Sequence, residues 1–303
     1  MQSIPELPIT AVIPLYNRPA LVQEALTSIW QATARPAEIL VVLNHARPVD
    51  AGPDLDAVQE WSRRHPSAPL RMLQCTTPGP AAARNQGIRA ATTDWIALLD
   101  SDDLWLPEKL AAQWRYLAQR PHLYLCHCLE KWTKGGQTLI QPAELAPISG
   151  QSLFSAMRHC LISPSSLVFH RSVLNDAGYF RVDYPVCEDF ELWLRILARF
   201  PVGLVPAELV VKRSADWTQL SQSRHSLDYY RLKALLEFAT EPTNWPRSAQ
   251  NEVHPVHALQ DWQWSGLLSA AWSRAAILAQ GQIKHRGRLA ADLIRLLRQL
   301  KSL

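Results

Sequence analysis

Two kinds of apolar pattern alternate through the first hundred residues, and this alternation restricts the fold more than any other property of the chain. Thr10 to Leu15, Glu38 to Leu43, Leu70 to Leu73 and Trp95 to Leu99 are short runs, apolar at most positions. Runs of this length read as strands buried in a sheet. Between them, Ala20 to Gln31, Val58 to Arg64 and Ala81 to Ala91 carry a helical pattern. The first places Leu21, Ala25, Ile29 and Trp30 at helical spacing and is stopped by Pro36. Strands alternating with helices predict βαβ units, a mostly parallel sheet and helices on both of its faces. Ligands bind such sheets beyond the carboxyl ends of the strands, so the loops that follow the runs are where chemistry is expected.

Three of those loops stand out. The first run ends in Tyr16-Asn17-Arg18-Pro19, the second in Leu43-Asn44-His45, and the fourth in Asp100-Ser101-Asp102-Asp103. The last places three carboxylates in four positions, WIALLDSDDLW, directly after an apolar strand. Asp and Ser are good turn and helix-capping residues, so the cluster can simply end one element and begin the next. Carboxylates a few ångströms apart also disfavour each other's charged forms, and a divalent cation removes that cost. Spacing alone leaves both readings open.

Beyond Trp105 the pattern is looser. Leu110 to Leu117 reads as a helix, Leu123 to Cys126 as a strand, Lys134-Gly135-Gly136 as a hairpin turn and Leu161 to Phe169 as another strand. Ser172 to Ala177 predicts a short helix ended by Gly178. Val186 to Leu197 predicts an amphipathic helix with Phe190, Trp193, Leu194 and Leu197 inward, and Glu188 and Asp189 at its start, where the helix dipole favours carboxylates. From Ser221 onward the chain reads as helical, over Leu227 to Phe238, His257 to Ala279 and Gly287 to Leu300. The last of these gathers Leu289, Leu293, Leu296, Leu297 and Leu300 on one face, with Arg288, Arg295, Arg298 and Lys301 elsewhere. Such a helix either packs on its own domain or lies on a membrane surface.

Composition excludes several classes. Lys and Arg number 31 against 27 Asp and Glu, a net charge of +4 that does not suggest a nucleic-acid partner. Cys75, Cys126, Cys128, Cys160 and Cys187 lack paired CxxC spacing, which argues against a zinc site or a disulfide framework and for a reducing compartment. No apolar stretch is long enough to span a bilayer, and MQSIPELPIT lacks the features of a secretory signal. A cytoplasmic protein is expected, with peripheral contact at the inner membrane face through the basic C-terminal helix as the membrane-facing variant.

Taken together, these segments resemble the family 2 glycosyltransferases. The likeness covers approximately residues 8 to 200 and is carried by AVIPLYNRPALVQEALTSIWQ, EILVV, PGPAAARNQGIRAATTDWIALLDSDDLWLPEKL, ISPSSLVFHRSVLNDAGYF and CEDFELWLRI, in the family's order. It implies a GT-A fold, a Rossmann-like, mostly parallel α/β sheet flanked by helices. Residues 1–220 form the glycosyltransferase domain, with a nucleotide-sugar half to about 105 and an acceptor half from about 106, and 221–303 form a helical C-terminal extension. It further implies transfer of a sugar from a nucleotide-diphosphate donor to an acceptor hydroxyl with inversion, assisted by Mn²⁺ or Mg²⁺.

Position by position, the resemblance makes Asp100-Ser101-Asp102 a DXD motif. Asp102 is the metal ligand, and Asp100 reaches the ribose or a metal-bound water. Asp103 is left to cap the next helix. Pro14, Tyr16 and Asn17 match the loop that holds the donor's base and ribose, and Arg84 matches an arginine beside the nucleotide pocket. Asp189 matches the general base of inverting members, with Glu188 supporting it, while Trp193 reads as core.

Two departures are present. Where the family has an Asp-Asp-Gly-Ser type sequence, this chain has Leu43-Asn44-His45-Ala46, so Asn44 is the residue left to meet a base amide. In Lys212 to Ser221, Asp216 falls where some relatives place a histidine near the metal, which makes it a third candidate oxygen ligand. The first departure also suggests an alternative: a non-catalytic GT-A-like binding module with a degenerate donor pocket. The acceptor, whether a glycan, a lipid-linked molecule or a small molecule, has no readable code in Tyr229, Tyr230, Trp262 or Trp264.

Overall fold

The computed structural model describes residues 4–214, 224–240, 261–286 and 291–302. The first third builds β1 (Glu6–Leu15), α1 (Pro19–Trp30), β2 (Arg35–Leu43), α2 (Gly52–Arg64), β3 (Leu70–Gln74), α3 (Pro80–Ala90) and β4 (Trp95–Leu98). After it come β5 (Leu104–Trp105), α4 (Lys109–Ala118), β6 (Leu125–Lys134), β7 (Gln137–Leu139), α5 (Leu153–Arg158), β8 (Val168–His170) and α6 (Val173–Ala177). The chain continues through α7 (Glu188–Leu197), β9 (Gly203–Ser214), α8 (Arg224–Thr240), α9 (Asp261–Arg286) and α10 (Ala291–Ser302).

One sheet runs through the molecule in the order β3-β2-β1-β4-β8-β6-β9-β5, with β7 paired to β6. The β3-β2-β1-β4 part is entirely parallel, as the βαβ pattern requires. From β4 to β8 and from β8 to β6 the pairing is antiparallel, and β6 and β9 are parallel again. The expectation of a mostly parallel sheet therefore holds for the first half and gives way to mixed pairing in the second. Side-chain alternation divides the core into two layers. Ile9, Ala11, Ile13 and Leu15 of β1 face α1, α2 and α4, with Val22, Ile29, Val58, Trp61 and Leu110. Val12, Leu40 and Val42 face the opposite layer, which runs from α3 through α7 to the C-terminal helices.

The interior strand β1 tolerates Pro14 because of where β4 ends. Val12 O accepts the Leu99 N–H at 3.1 Å, and beyond that point β4 turns away, so the amide hydrogen that Pro14 lacks has no strand to meet. That divergence opens the crevice beyond the strand ends. On the opposite side, α3 lies close against the sheet: a Cβ on Gly87 would stand 2.4 Å from Val12 Cγ1.

Several sequence expectations are corrected. Leu161 to Phe169 is not one strand: Pro164–Ser166 is a 3₁₀ turn, and only Val168–His170 pairs in the sheet. Pro164 removes a ladder donor, and the Ser166 hydroxyl donates back to Ser163 O at 2.9 Å. The second helix begins at Gly52, six residues before the expected Val58. The long strand β9 was not foreseen, since Pro206, Glu208, Lys212 and Arg213 interrupt its apolar pattern. Leu293, Leu296 and Leu300 of α10 are buried in the same core as Phe190 and Leu194 of α7, Leu235 of α8 and Ala271 of α9. That apolar stripe is therefore spent on packing and is not available to a lipid surface. Arg288 and Leu289 lie outside the described residues. Among the described residues no helix is long and apolar enough to cross a membrane.

Candidate active site

The acidic turn after β4 is built on Asp103, which the sequence reading assigned to capping the next helix. The structure corrects this. α4 begins at Lys109 with Glu108 at its N-cap and no side-chain capping bond. Asp103 is buried instead, at 2% exposure. Its Oδ2 accepts the Ser165 hydroxyl at 2.6 Å, and its Oδ1 accepts the Arg213 backbone N–H at 3.0 Å. Ser165 Oγ in turn accepts the Asp100 N–H at 3.1 Å, and the Asp103 N–H bonds Asp100 O at 3.0 Å. Burial pushes the Asp103 carboxyl up to about 7 against the opposing pull of Lys212, whose Nζ lies 3.8 Å away. Asp103 is thus the internal anchor of the turn, which leaves Asp100 and Asp102 toward the cleft.

Arg84 joins the two acidic motifs. It comes from α3, is 4% exposed, and places NH2 2.7 Å from Asp100 Oδ1 and NH1 2.6 Å from Glu188 Oε1. These contacts span 16 and 104 positions of sequence. Burial works against the guanidinium charge, but the two carboxylates outweigh it and hold its pKa above the ordinary value. Against the cost of burial, Arg84, Lys212 and Arg18 hold Asp100 below the usual carboxylate range. At Glu188 burial dominates and pushes the carboxyl up to about 7. Arg84 is therefore a strut between donor-side and acceptor-side motifs rather than a surface residue of its helix.

Asp189 follows at the first turn of α7, after Cys187, whose φ of 61° puts the chain in the left-handed region. Cys160 donates its S–H toward Asp189 Oδ2 at 3.5 Å, and Oδ1 accepts the Phe190 N–H at 2.7 Å. The segment from Cys160 to Ser166 thus touches both motifs, Asp189 through Cys160 and the acidic turn through Ser165. It is held from behind by Trp193, whose Nε1 donates to Ile162 O at 2.8 Å, and by Trp105, whose Nε1 donates to Ser165 O at 2.9 Å. Trp193 is 2% exposed, as expected for a core residue.

The loop after β1 closes the other side. Tyr16 is 58% exposed and its ring lies 5.0 Å from that of His45. Asn17 has a φ of 52°, which Asn adopts more readily than most residues. The loop is clamped by Asp54, a residue that sequence reasoning passed over. Its carboxylate accepts the N–H groups of Asn17 at 2.7 Å and Arg18 at 2.9 Å, and bonds His45 Nε2 at 2.9 Å. In the sequence, Asp54 looks only like the acidic first turn of a helix. The Arg18 guanidinium is ion-paired with Asp102. Asn44 is occupied internally: its amide donates to Thr77 O at 2.7 Å and Cys75 O at 3.3 Å and accepts the Gly79 N–H at 2.9 Å. Asn44 thereby fixes the loop that enters α3.

Arg84 thus joins Asp100 and Glu188 in one ion-pair cluster, and Arg18 and Asp102 form a second, with Pro14 at the end of β1 and Tyr16 and Asn17 just beyond it. Asp216 lies outside the described residues. Among the described residues no group of three His, Cys, Asp or Glu side chains is placed to hold a metal ion. Asp100 and Asp102 keep 23% and 15% of their side-chain surface open, and two hard carboxylates that leave room for substrate phosphates are a donor set that Mg²⁺-type ions use. The pair fits a cation shared with a substrate.

Solved structures of similar fold define the architecture as GT-A. Staphylococcus aureus TarS (residues 1–349) superposes with a TM-score of 0.67 at 15% identity, covering 96% of this chain and 79% of that one. TarS is also known with UDP-GlcNAc, at a TM-score of 0.65. The mannosyltransferase PcManGT from Pyrobaculum calidifontis, in complex with GDP-Man and Mn²⁺, gives 0.57 at 20% identity, covering 97% of this chain and 79% of that one. The sequence model of glycosyl transferase family 2 matches residues 10–165, just over half of the 303, and the chain belongs to that family. The amylovoran biosynthesis glycosyltransferase AmsE of Erwinia amylovora is 26% identical over 245 residues, which cover 75% of this chain and 86% of AmsE. An uncharacterized glycosyltransferase of Rickettsia conorii is 26% identical over 72% of this chain, and the match covers 34% of that longer protein.

Proposed function

We propose that this protein transfers a sugar from a nucleotide-diphosphate sugar to an acceptor hydroxyl with inversion at the anomeric carbon. The observation that carries the reading is the Arg84 strut, which ties Asp100 of the DXD turn to Glu188 of the acceptor-side motif. That link supports a reading in which donor and acceptor chemistry share one site. Asp102 and Asp100 would hold Mn²⁺ or Mg²⁺, which when bound neutralises charge growing on the departing diphosphate. Tyr16, Asn17 and Pro14 form the wall for the nucleoside, with Asp54 and His45 keeping that loop in place.

Asp189 takes the proton from the acceptor hydroxyl as its oxygen attacks the anomeric carbon. The bond from that carbon to the diphosphate oxygen breaks on the opposite face, which gives inversion in a single displacement. Glu188, fixed by Arg84, sets the first turn of α7 and so the direction of Asp189. The named roles of AmsE in amylovoran biosynthesis, and of the succinoglycan biosynthesis protein ExoW of Rhizobium meliloti, 30% identical over 105 residues, support a growing saccharide as acceptor. Purified protein incubated with a panel of nucleotide sugars and Mn²⁺ should release nucleoside diphosphate, and Asp102→Ala should stop the release. Absence of turnover and of nucleotide binding with every donor would instead favour a binding module.

A further inference from the structure

Arg18 stands where the chain leaves β1 and enters α1. Its backbone N–H is fixed by Asp54 at 2.9 Å, so the root of the side chain is anchored. Its guanidinium reaches across 84 positions of sequence to Asp102, and the two side chains keep 20% and 15% of their surface exposed. The pair is therefore open to the crevice. An arginine and a divalent cation are competing counter-ions for one carboxylate, because seating both there sets like charges side by side.

We infer that Arg18 is the resident counter-ion of Asp102 and moves to the donor's diphosphate when a divalent cation takes over that carboxylate. The inference rests on the reading of Asp102 as a cation ligand. A cation arriving alone displaces the guanidinium with no anion to receive it. A cation arriving with a diphosphate brings the anion, and the planar guanidinium fork suits phosphate oxygens. Cation and diphosphate therefore promote each other's binding, and the coupling is reciprocal. Arg84 does not exchange in this way, since it is buried and shared between Asp100 and Glu188.

The test is an electron paramagnetic resonance titration of Mn²⁺ into the full chain without nucleotide, which follows free Mn²⁺ directly. Arg18→Ala should bind Mn²⁺ at least about tenfold more tightly than wild type, because the carboxylate loses the cationic side chain that competes with the metal. Adding Asp102→Asn to that variant should remove the gain. With Mn²⁺ present, inorganic diphosphate should bind wild type more tightly than Arg18→Ala. A matching melting curve establishes that the variant is folded, and Arg18→Gln, neutral and of similar length, replaces it if Arg18→Ala does not fold. Mn²⁺ binding to the variant that equals or falls below wild type overturns the inference and leaves the glycosyltransferase reading intact. Loss of Mn²⁺ binding by both proteins, with sugar transfer persisting in metal-free buffer, overturns the inference and the assignment of Asp102 together.

Discussion

The acidic turn after β4 has two unlike sides. Its inner side, formed by Arg84, Glu188, Asp103 and Ser165, is buried: Arg84 bonds Glu188 at 2.6 Å, Ser165 bonds Asp103 at 2.6 Å, and the Asp100 backbone N–H, donating to Ser165 at 3.1 Å, links the two pairs. Its outer side, formed by Arg18, Asp102 and the exposed Tyr16, opens to the crevice. The difference teaches that the same residue types do two jobs here. The inner arginine and aspartate set geometry and resist exchange. The outer ones are placed where a ligand can replace their partner.

The largest test of this contrast is Arg84→Ala, which takes the counter-ion from the buried Glu188 and from the partly open Asp100. It should cost about 3–5 kcal/mol in chemical denaturation. Next is Lys109, which supports the inner side from below. It is fully buried, lies 4.2 Å over the Trp105 ring and donates to Gln113 Oε1 at 2.7 Å, while Gln113 Nε2 donates to Ser166 O at 2.9 Å. Burial lowers its pKa from 10.5 to about 8. Below pH 8 both folded and unfolded chains carry the proton and the burial cost is present in full. Between pH 8 and 10.5 the unfolded chain keeps a proton that the folded chain has released, so stability rises with pH. Relative to Lys109→Met, the wild type should gain about 3 kcal/mol across that window, read from denaturation curves at each pH.

Ser165→Ala removes a hydroxyl that donates to Asp103 and accepts from the Asp100 amide, and should cost about 1–3 kcal/mol in the same assay. The smallest effect belongs to the outer side. Arg18→Ala should change stability by less than about 1 kcal/mol while changing ligand binding. A loss at Arg18 as large as that at Arg84 would erase the distinction between the two sides.

Much of this was legible in the sequence because it depends on local pattern. The four parallel strands follow from apolar runs too short for helices, and the placement of Tyr16, Asn17, Asp100 and Asp102 follows from where those runs end. The path of Glu188 and Asp189 at the start of a helix was equally readable. What the sequence concealed depends on distant partners. Asp103 resembles a cap until Ser165, 62 positions away, and the Arg213 amide, 110 positions away, come to meet it. Asp54 is an ordinary helix-start acid until the loop after β1 folds over it, and Asn44 looks available to a ligand until Cys75, Thr77 and Gly79 use its amide. Arg18 carried no signal of its own beyond a basic residue before a proline.

On the proposed function the DXD turn and the Glu188-Asp189 pair serve one reaction, the first binding the donor and the second activating the acceptor. Single-turnover release of nucleoside diphosphate by Asp189→Asn, measured beside calorimetric donor binding, tests it most directly. The account predicts a rate lowered by about 10²–10⁴ with donor affinity unchanged. Release at the wild-type rate, or a loss of donor binding in its place, would contradict it.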